Sequence, residues 1–395
     1  MPPDSTLAQA MAAHKDGRYS EAEAGYRNVL RQQPGDPKAL YYLGLLHFHR
    51  GEIAAALNCV QQCLARAPGN AHAWNTLGSM LIADKRSVEA KEAYRKVTAV
   101  APSMGEGWYN LGICLRDEGD FDAAIATLQE AISRQPDYFR AYEALAMLLY
   151  QLERTDDAAD IYSQWATRDP TNAKAQHMAA ATSRRNAPPR APDEYVQGLF
   201  DRSAEGFDAN VEQLGYRAPA LVAAALAECT KRQLLPAVLD AGCGTGLCGP
   251  LIRAQCQSLV GVDLSRKMIE RAQARGAYDE LIAAELCAFM RSRPQGFDAV
   301  ISADTLVYFG PLEEPLRAAH TALRADSWLI FTLEALPDGG ADHRLEPHGR
   351  YGHSEEYVRR ALDDAGFQLS TLTHETLRQE RLQDVTGYLV TARRR

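Results

Sequence analysis

Residues 238–249 read VLDAGCGTGLCG, and this stretch decides the fold of the second half of the 395-residue chain. The apolar run Ala237–Ala241 meets a turn with glycines at 242, 244, 246 and 249, and residues 247–256 follow with helical spacing. Glycine lets a backbone adopt positive φ and approach a ligand closely, and such a turn carries meaning between a strand and a helix. Gly244, Gly246 and Gly249 spell GxGxxG, the dinucleotide fingerprint. Asp240 points elsewhere, because a carboxylate two residues before Gly242 repels a pyrophosphate and suits a ligand with positive charge. Working outward, apolar runs at Leu259–Asp263, Leu281–Glu285, Phe297–Ala303, Trp328–Glu334, Phe367–Thr373 and Thr386–Thr391 alternate with amphipathic segments at 266–275, 312–324 and 354–365. Strands alternating with helices predict an α/β domain with a mostly parallel sheet and a ligand crevice at the strands' C-terminal ends. The last two runs, joined by Glu375–Asp384, predict a hairpin-like connection and an antiparallel final strand.

The Gly-Cys-Gly-Thr-Gly run, together with Asp240, resembles motif I of class I S-adenosylmethionine (SAM)-dependent methyltransferases. A ligand-free turn and an NAD-type site are the alternatives. The resemblance covers about 193–393 and implies a Rossmann-like fold with SAM as cofactor. It implies cofactor contacts from Asp240, Gly242, Cys243, Gly244 and Gly246, with Asp240 near the ammonium end. Asp263, ending LVGVD, would accept from both ribose hydroxyls, a role shared with NAD folds; capping of the next helix by Asp263 or Ser265 is the alternative. Glu285 stands where the family usually has an acid for the adenine amino group, with Leu264, Met268 and Leu286 against the ring faces. Met268 reads equally as core. Ala303-Asp304 should pass beside the methyl group, with Asp304, Tyr308 and His353 as catalytic candidates and Tyr351 and Arg350 as lid residues. His353 has a titration range suited to a general base, yet it also reads as the residue before a helix cap at Ser354. Members of that family acting on adenine or amide nitrogens often show Asn-Pro-Pro-Tyr at the tip of the fourth strand, where this chain has Ser302-Ala-Asp-Thr305, so the resemblance argues against DNA adenine methylation, and no Pro-Cys pair offers a nucleophile for cytosine C5. Tyr195–Tyr216 is expected to fold over the cofactor as a helical lid, with Phe200, Phe207 and Tyr216 as shields and Arg202 and Arg217 for an anionic group.

Upstream, SRRNAPPRAPDEY (183–195) has the composition of a semi-rigid extended linker. Before it the chain repeats. Pro34, Pro68, Pro102, Pro136 and Pro170 are 34 residues apart, each preceded twelve residues earlier by Ala22, Ala56, Ala90, Ala124 or Ala158. Leu43-Gly44, Leu77-Gly78 and Leu111-Gly112 recur in register, with Trp74 and Trp108 ahead of the latter two and Tyr142 at the matching place in the fifth unit. The pattern is helix, turn, helix and proline stop. It resembles the tetratricopeptide repeat (TPR) family, with five units over about 3–172; the first and fifth depart from the Leu-Gly pair, as terminal units do. Ala173–Thr182 is expected to close the stack. The expected domains are therefore a TPR solenoid at 3–182, a linker at 183–192 and a methyltransferase domain at 193–395. The combination resembles bacterial predicted methyltransferases with an N-terminal TPR region. It implies protein or peptide binding on a concave face that carries Asn75, Asn110, Arg116 and Arg140.

Composition bounds the rest. Net charge is -8 with a pI of about 5.7, which argues against a nucleic-acid partner, because phosphate backbones need clustered Lys and Arg. No apolar run reaches the 18 residues of a membrane helix, the N-terminus has no export signal, and the eight cysteines form no paired CxxC zinc motif, so the expectation is a cytoplasmic protein without a metal. Three functions are in play: a methyltransferase whose array captures a protein or peptide that is the substrate or carries it, a small-molecule methyltransferase whose array serves assembly, and a non-catalytic SAM-binding scaffold. The oligomeric state and the methyl acceptor are open.

Overall fold

A computed structural model describes residues 3–336, 340–380 and 383–395, and the chain divides into two compact units, Met1–Arg168 and Asp169–Arg395. The first is a stack of antiparallel helix pairs: α1 (Pro3–Lys15) with α2 (Tyr19–Gln32), α3 (Pro37–His49) with α4 (Ile53–Arg66), α5 (Ala71–Ala83) with α6 (Ser87–Val100), α7 (Gly105–Asp117) with α8 (Phe121–Arg134), and α9 (Phe139–Gln151) with α10 (Thr155–Arg168). The repeat explains the pairs. Ala22, Ala56, Ala90, Ala124 and Ala158 are fully buried. A Cβ on Gly44, Gly78 or Gly112 would lie 2.7, 2.4 or 2.8 Å from Val60, Tyr94 or Leu128 of the partner helix, so the missing side chain sets the interhelical approach. In the first pair the glycine has changed helices: a Cβ on Gly25 would meet Ala10 Cβ at 2.6 Å. The aromatic before the Leu-Gly pair has its own task. Trp74 Nε1 donates to Pro68 O at 2.8 Å, Trp108 Nε1 to Pro102 O at 2.9 Å, and Tyr142 O–H to Pro136 O at 3.2 Å. Asp36 and Asn70 cap α3 and α5 through the N–H groups of Ala39 and Ala73, a contact worth about 1 kcal/mol each.

The second unit opens with α11 (Ala173–Ser183), the helix expected to close the stack; by its contacts it falls with the α/β half. Then come α12 (Asp193–Ser203), α13 (Phe207–Gln213) and α14 (Ala218–Cys229). The sheet follows with β1 (Leu235–Ala241), β2 (Cys256–Asp263), β3 (Glu280–Ala283), β4 (Phe297–Ser302) and β5 (Leu323–Ala335), separated by α15 (Cys248–Ile252), α16 (Arg266–Arg275), α17 (Leu286–Ser292) and α18 (Glu313–Ala322). These strands are parallel in the order β3-β2-β1-β4-β5. The chain closes with β6 (His343–Leu345), β7 (Tyr351–His353), α19 (Glu355–Asp364), β8 (Phe367–Glu380) and β9 (Gln383–Arg394). β9 is antiparallel to both β5 and β8, as expected, and the turn between β8 and β9 lies outside the described residues. The short β6–β7 pair, which carries no periodic signal in the sequence, extends the C-terminal end of β5 through Glu334↔Gly352.

Alternating Val, Leu and Ile make both faces of β1 and β4 apolar, and α14 and α15 cover one of them with Val222, Leu226 and Ile252 in a shared core. The strand order reverses at β1, flanked by β2 on one side and β4 on the other, and such a switch point opens a crevice beyond the strand ends. Among the described residues no helix is long and apolar enough to cross a membrane, and no cluster of His, Cys, Asp and Glu could hold a metal.

Candidate functional site

A cavity of about 360 Å³ lies at that switch point. Its floor is the loop leaving β1. Gly242 has φ +82°, and a Cβ there would sit 2.1 Å from Thr305 Oγ1, so only glycine allows the β1 and β4 loops to touch. Gly242 and Cys243 both donate to Val262 O, at 2.8 and 3.0 Å, which ties the loop to β2. Asp263, the last residue of β2, accepts from Gly244 N at 2.9 Å and from Ser265 N at 2.8 Å. Burial lifts its carboxyl above the ordinary range, and the N–H groups of Ser265, Gly244 and Leu264 oppose that. Ser265 itself caps α16 through Met268 N at 3.2 Å.

Glu285 follows β3 by two residues and is the N-cap of α17, accepting from Cys287 N at 3.0 Å and Ala288 N at 2.7 Å. Burial opposes its ionisation, yet those N–H groups and the Arg190 charge hold it below the usual carboxylate range. Leu264, Leu286, Cys243 and Ala303 line the cavity with Gly242, Gly244, Asp263 and Glu285. Gly246 and Met268 do not. Gly246 turns toward Tyr278 and Ala272, and Met268 is fully buried under α16, the core role that its spacing also allowed.

Asp240 is also outside the lining. It is fully buried at the end of β1, accepts from the Tyr278 hydroxyl at 2.6 Å through Oδ2, and its Oδ1 has no partner among the described residues. Burial raises its pKa to about 7. An orphaned buried carboxylate oxygen costs free energy unless a donor or cation reaches it.

At the far end of the cavity, Asp304 follows β4 in the left-handed region at φ 53°, a conformation that costs about 1–3 kcal/mol and clusters at functional sites. Its N–H donates to Thr332 Oγ1 at 2.8 Å, Thr332 O–H donates back to Oδ1 at 3.0 Å, and Arg378 binds Oδ2 at 2.8 Å. Arg378 also bonds Glu334 and Glu380, and Arg350 bonds the same two glutamates. This buried network joins β4, β5, the β6–β7 connection and β8, and sequence reading missed Arg378, Glu334 and Glu380 because their partners are distant in the chain. Burial holds the Tyr308 hydroxyl, on the cavity wall, well above its usual range.

His353 requires a correction. It is fully buried in β7, away from the cavity lining, and its Nε2 bonds Phe309 O at 3.0 Å and Gly310 O at 2.9 Å. Burial lowers its pKa to about 4, so near neutral pH it is a neutral donor to carbonyls and not a base facing a substrate. Tyr351, expected in a lid, donates its buried hydroxyl to Pro188 O. The lid itself is helical: Phe200 in α12 and Phe207 in α13 line the cavity with Tyr216, while Arg202 and Arg217 are exposed and off its wall. Asp208 ties the lid down by accepting from Thr245 Oγ1 at 2.6 Å and from Arg275.

The segment read as a linker is also part of this wall. Ala191 N donates to Tyr308 O at 2.8 Å, Gly310 N donates to Pro189 O at 2.9 Å, and Arg190 lines the cavity and pairs with Glu285 at 3.0 Å.

In the repeat unit the four residues expected to meet a peptide all have partners within the array. Asn110 Nδ2 donates to Asn75 Oδ1 at 2.8 Å, the Arg140 guanidinium lies 4.9 Å from the Tyr109 ring centre, and Arg116 pairs with Asp117 at 2.7 Å. First helices approach each other across the stack, α1 with α3, α3 with α5 and α7 with α9, and the Asn75–Asn110 bond links α5 to α7.

Fold and sequence together define a protein that joins tetratricopeptide repeats to a methyltransferase domain. Family profiles for the tetratricopeptide repeat match residues 13–80, 86–129 and 109–173, and a profile for a methyltransferase domain matches 238–326. Among curated relatives, the human methyltransferase-like protein 27 is 39% identical over 116 residues, covering 27% of this chain and 45% of that protein. The tetratricopeptide repeat-containing protein trd-1 of Caenorhabditis elegans is 28% identical over 131 residues, covering 33% of this chain and 16% of trd-1. The chain thus spans less than half the length of these two relatives. A solved structure of magnesium protoporphyrin IX methyltransferase from Synechocystis PCC 6803 with bound SAM aligns at TM-score 0.35 and 22% identity, over 45% of this chain and 79% of that one.

Proposed function

We propose that the chain is a SAM-dependent methyltransferase whose repeat array captures a protein or peptide that is the methyl acceptor or carries it. The observation that carries this reading is one cavity in which the glycine-loop backbone, Asp263 and Glu285 meet, together with a buried Asp240 oxygen that has no partner among the described residues. These residues suit a cationic nucleoside better than a pyrophosphate. Asp263 would accept from the ribose hydroxyls, Glu285 from the adenine amino group, and Leu264 and Leu286 would flank the ring. The backbone of Gly242, Cys243 and Gly244 would pass under the amino-acid portion, with Asp240 satisfying its ammonium group through a water. Gly246 and Met268 hold this frame from behind.

Bound there, SAM would supply a sulfonium methyl group for in-line attack. The chain's own contribution is alignment and exclusion of water, which can account for about 7–11 kcal/mol of a barrier. Ala303 and Asp304 line the cavity and would border the methyl end. Both Asp304 oxygens are engaged, by Thr332 and Arg378, so its role is to hold the β4 tip in place. Tyr308 remains protonated near neutral pH and is a donor toward the acceptor group. Phe200 and Phe207 would close the site over it.

Incubation of the full chain with radiolabelled SAM and a cell lysate, followed by separation of macromolecules from metabolites, tests the whole reading. Label in the macromolecular fraction is the expected result. Label confined to small metabolites would sink recruitment of a protein acceptor and leave a small-molecule methyltransferase, and the absence of label in either fraction would leave a SAM-binding scaffold.

A further inference from the structure

The stretch between α11 and α12 has a linker's composition, yet it is bonded into the second unit along its length. Tyr351 O–H donates to Pro188 O, Gly310 N to Pro189 O and Ala191 N to Tyr308 O, and Arg190 forms a bridge with Phe309. Upstream, α11 is anchored by His177, whose buried Nε2 bonds Gly349 O at 2.9 Å and whose ring lies 4.3 Å from that of Tyr195 in α12. This is a strap with fixed register.

Its one long polar side chain with a cavity address is Arg190. The guanidinium lies over the Phe309 ring at 5.7 Å, its Nη2 pairs with Asp193 at 2.9 Å, and its Nη1 reaches Glu285 Oε1 at 3.0 Å. Glu285 already accepts from two N–H groups of α17, Cys287 N at Oε1 and Ala288 N at Oε2, and Arg190 adds a second, charged donor to Oε1 that braces the carboxylate from the strap side. A planar guanidinium held on an aromatic face and on two carboxylates has little freedom left.

We infer that Arg190 is a cofactor-positioning residue: it completes the adenine end of the cavity by orienting Glu285, so the strap that joins the repeats to the α/β sheet is a structural part of the cofactor site. This rests on the SAM reading, in which Glu285 recognises the adenine amino group. An arginine-oriented carboxylate accepts from that amino group and has nothing to offer the carbonyl of hypoxanthine, so the side chain should govern base selectivity as well as affinity.

Calorimetry on the full chain tests this with S-adenosylhomocysteine and its hypoxanthine counterpart, using wild type, Arg190→Ala and Arg190→Lys. Arg190→Ala is expected to weaken S-adenosylhomocysteine binding about tenfold while changing binding of the hypoxanthine compound less than threefold, so selectivity shrinks. Arg190→Lys should regain part of it, because an ammonium still pairs with Glu285. Equal weakening for both ligands would mark Arg190 as a mere structural prop and overturn the inference, as would unchanged affinity in Arg190→Ala. A wild-type chain that binds neither compound would overturn the SAM reading beneath it, which is a distinct outcome.

Discussion

The two units use glycine for opposite purposes. In the repeats, Gly44, Gly78 and Gly112 sit in ordinary helical backbone, and each leaves room for one partner side chain. The requirement is volume, it recurs every 34 residues, and it can change sides, as Ala10 against Gly25 shows in the first pair. In the α/β unit, Gly242 has positive φ and Thr305 fills the place of its side chain. There the requirement is conformation and space at once, it follows no period, and no partner can take it over. A repeated contact is redundant and legible as a period; a site contact is unique and legible only through its setting.

The largest effect is expected in the array. Gly78→Ala would push a methyl group against the Tyr94 ring, at 2.4 to 2.8 Å. Overpacking of that kind costs about 1–3 kcal/mol and should outweigh the gain in helix propensity of up to about 1 kcal/mol. Gly69→Ala, with nothing within 4 Å and no positive φ, is the control. Denaturant unfolding should show a clear loss for the first and little change for the second. Equal stability of the two variants would mean that the Leu-Gly pairs do not set the helix approach.

A smaller effect sharpens the other side of the comparison. Asp240 has a folded pKa of about 7 against an ordinary 3.8, so the folded chain holds a proton that the unfolded chain has lost. Stability from this group is fully present below about pH 4 and is lost as pH rises through about 7. Thermal melts without cofactor should therefore show wild type losing ground to Asp240→Asn between pH 5 and pH 8. A constant difference across that range would remove the orphaned carboxylate from the account.

Much of this was readable in the residues. The 34-residue period located ten helices because each proline lies two residues past the end of a second helix. VLDAGCGTGLCG announces β1 and its loop, and the acids ending or following β2 and β3 stand out by their places at strand ends and by the resemblance to the methyltransferase family. What stayed hidden depends on distance. Arg378 reaches Asp304 across 74 positions, and no local pattern links them. The strap reads as a spacer in the sequence because Pro and Arg suit an extended chain whether or not something binds it. The sequence alone allows His353 as a base because the setting of the imidazole is invisible there; burial against two carbonyls decides otherwise.

The central claim is that the β1–β2 end of the cavity is built for SAM. Calorimetric titration of SAM into wild type and Asp263→Ala tests it most directly. Binding at one site by wild type, with affinity at least tenfold weaker in a variant that keeps its melting temperature within a few degrees, is the predicted result. Equal affinity in both proteins, or no binding to the wild type, would contradict it.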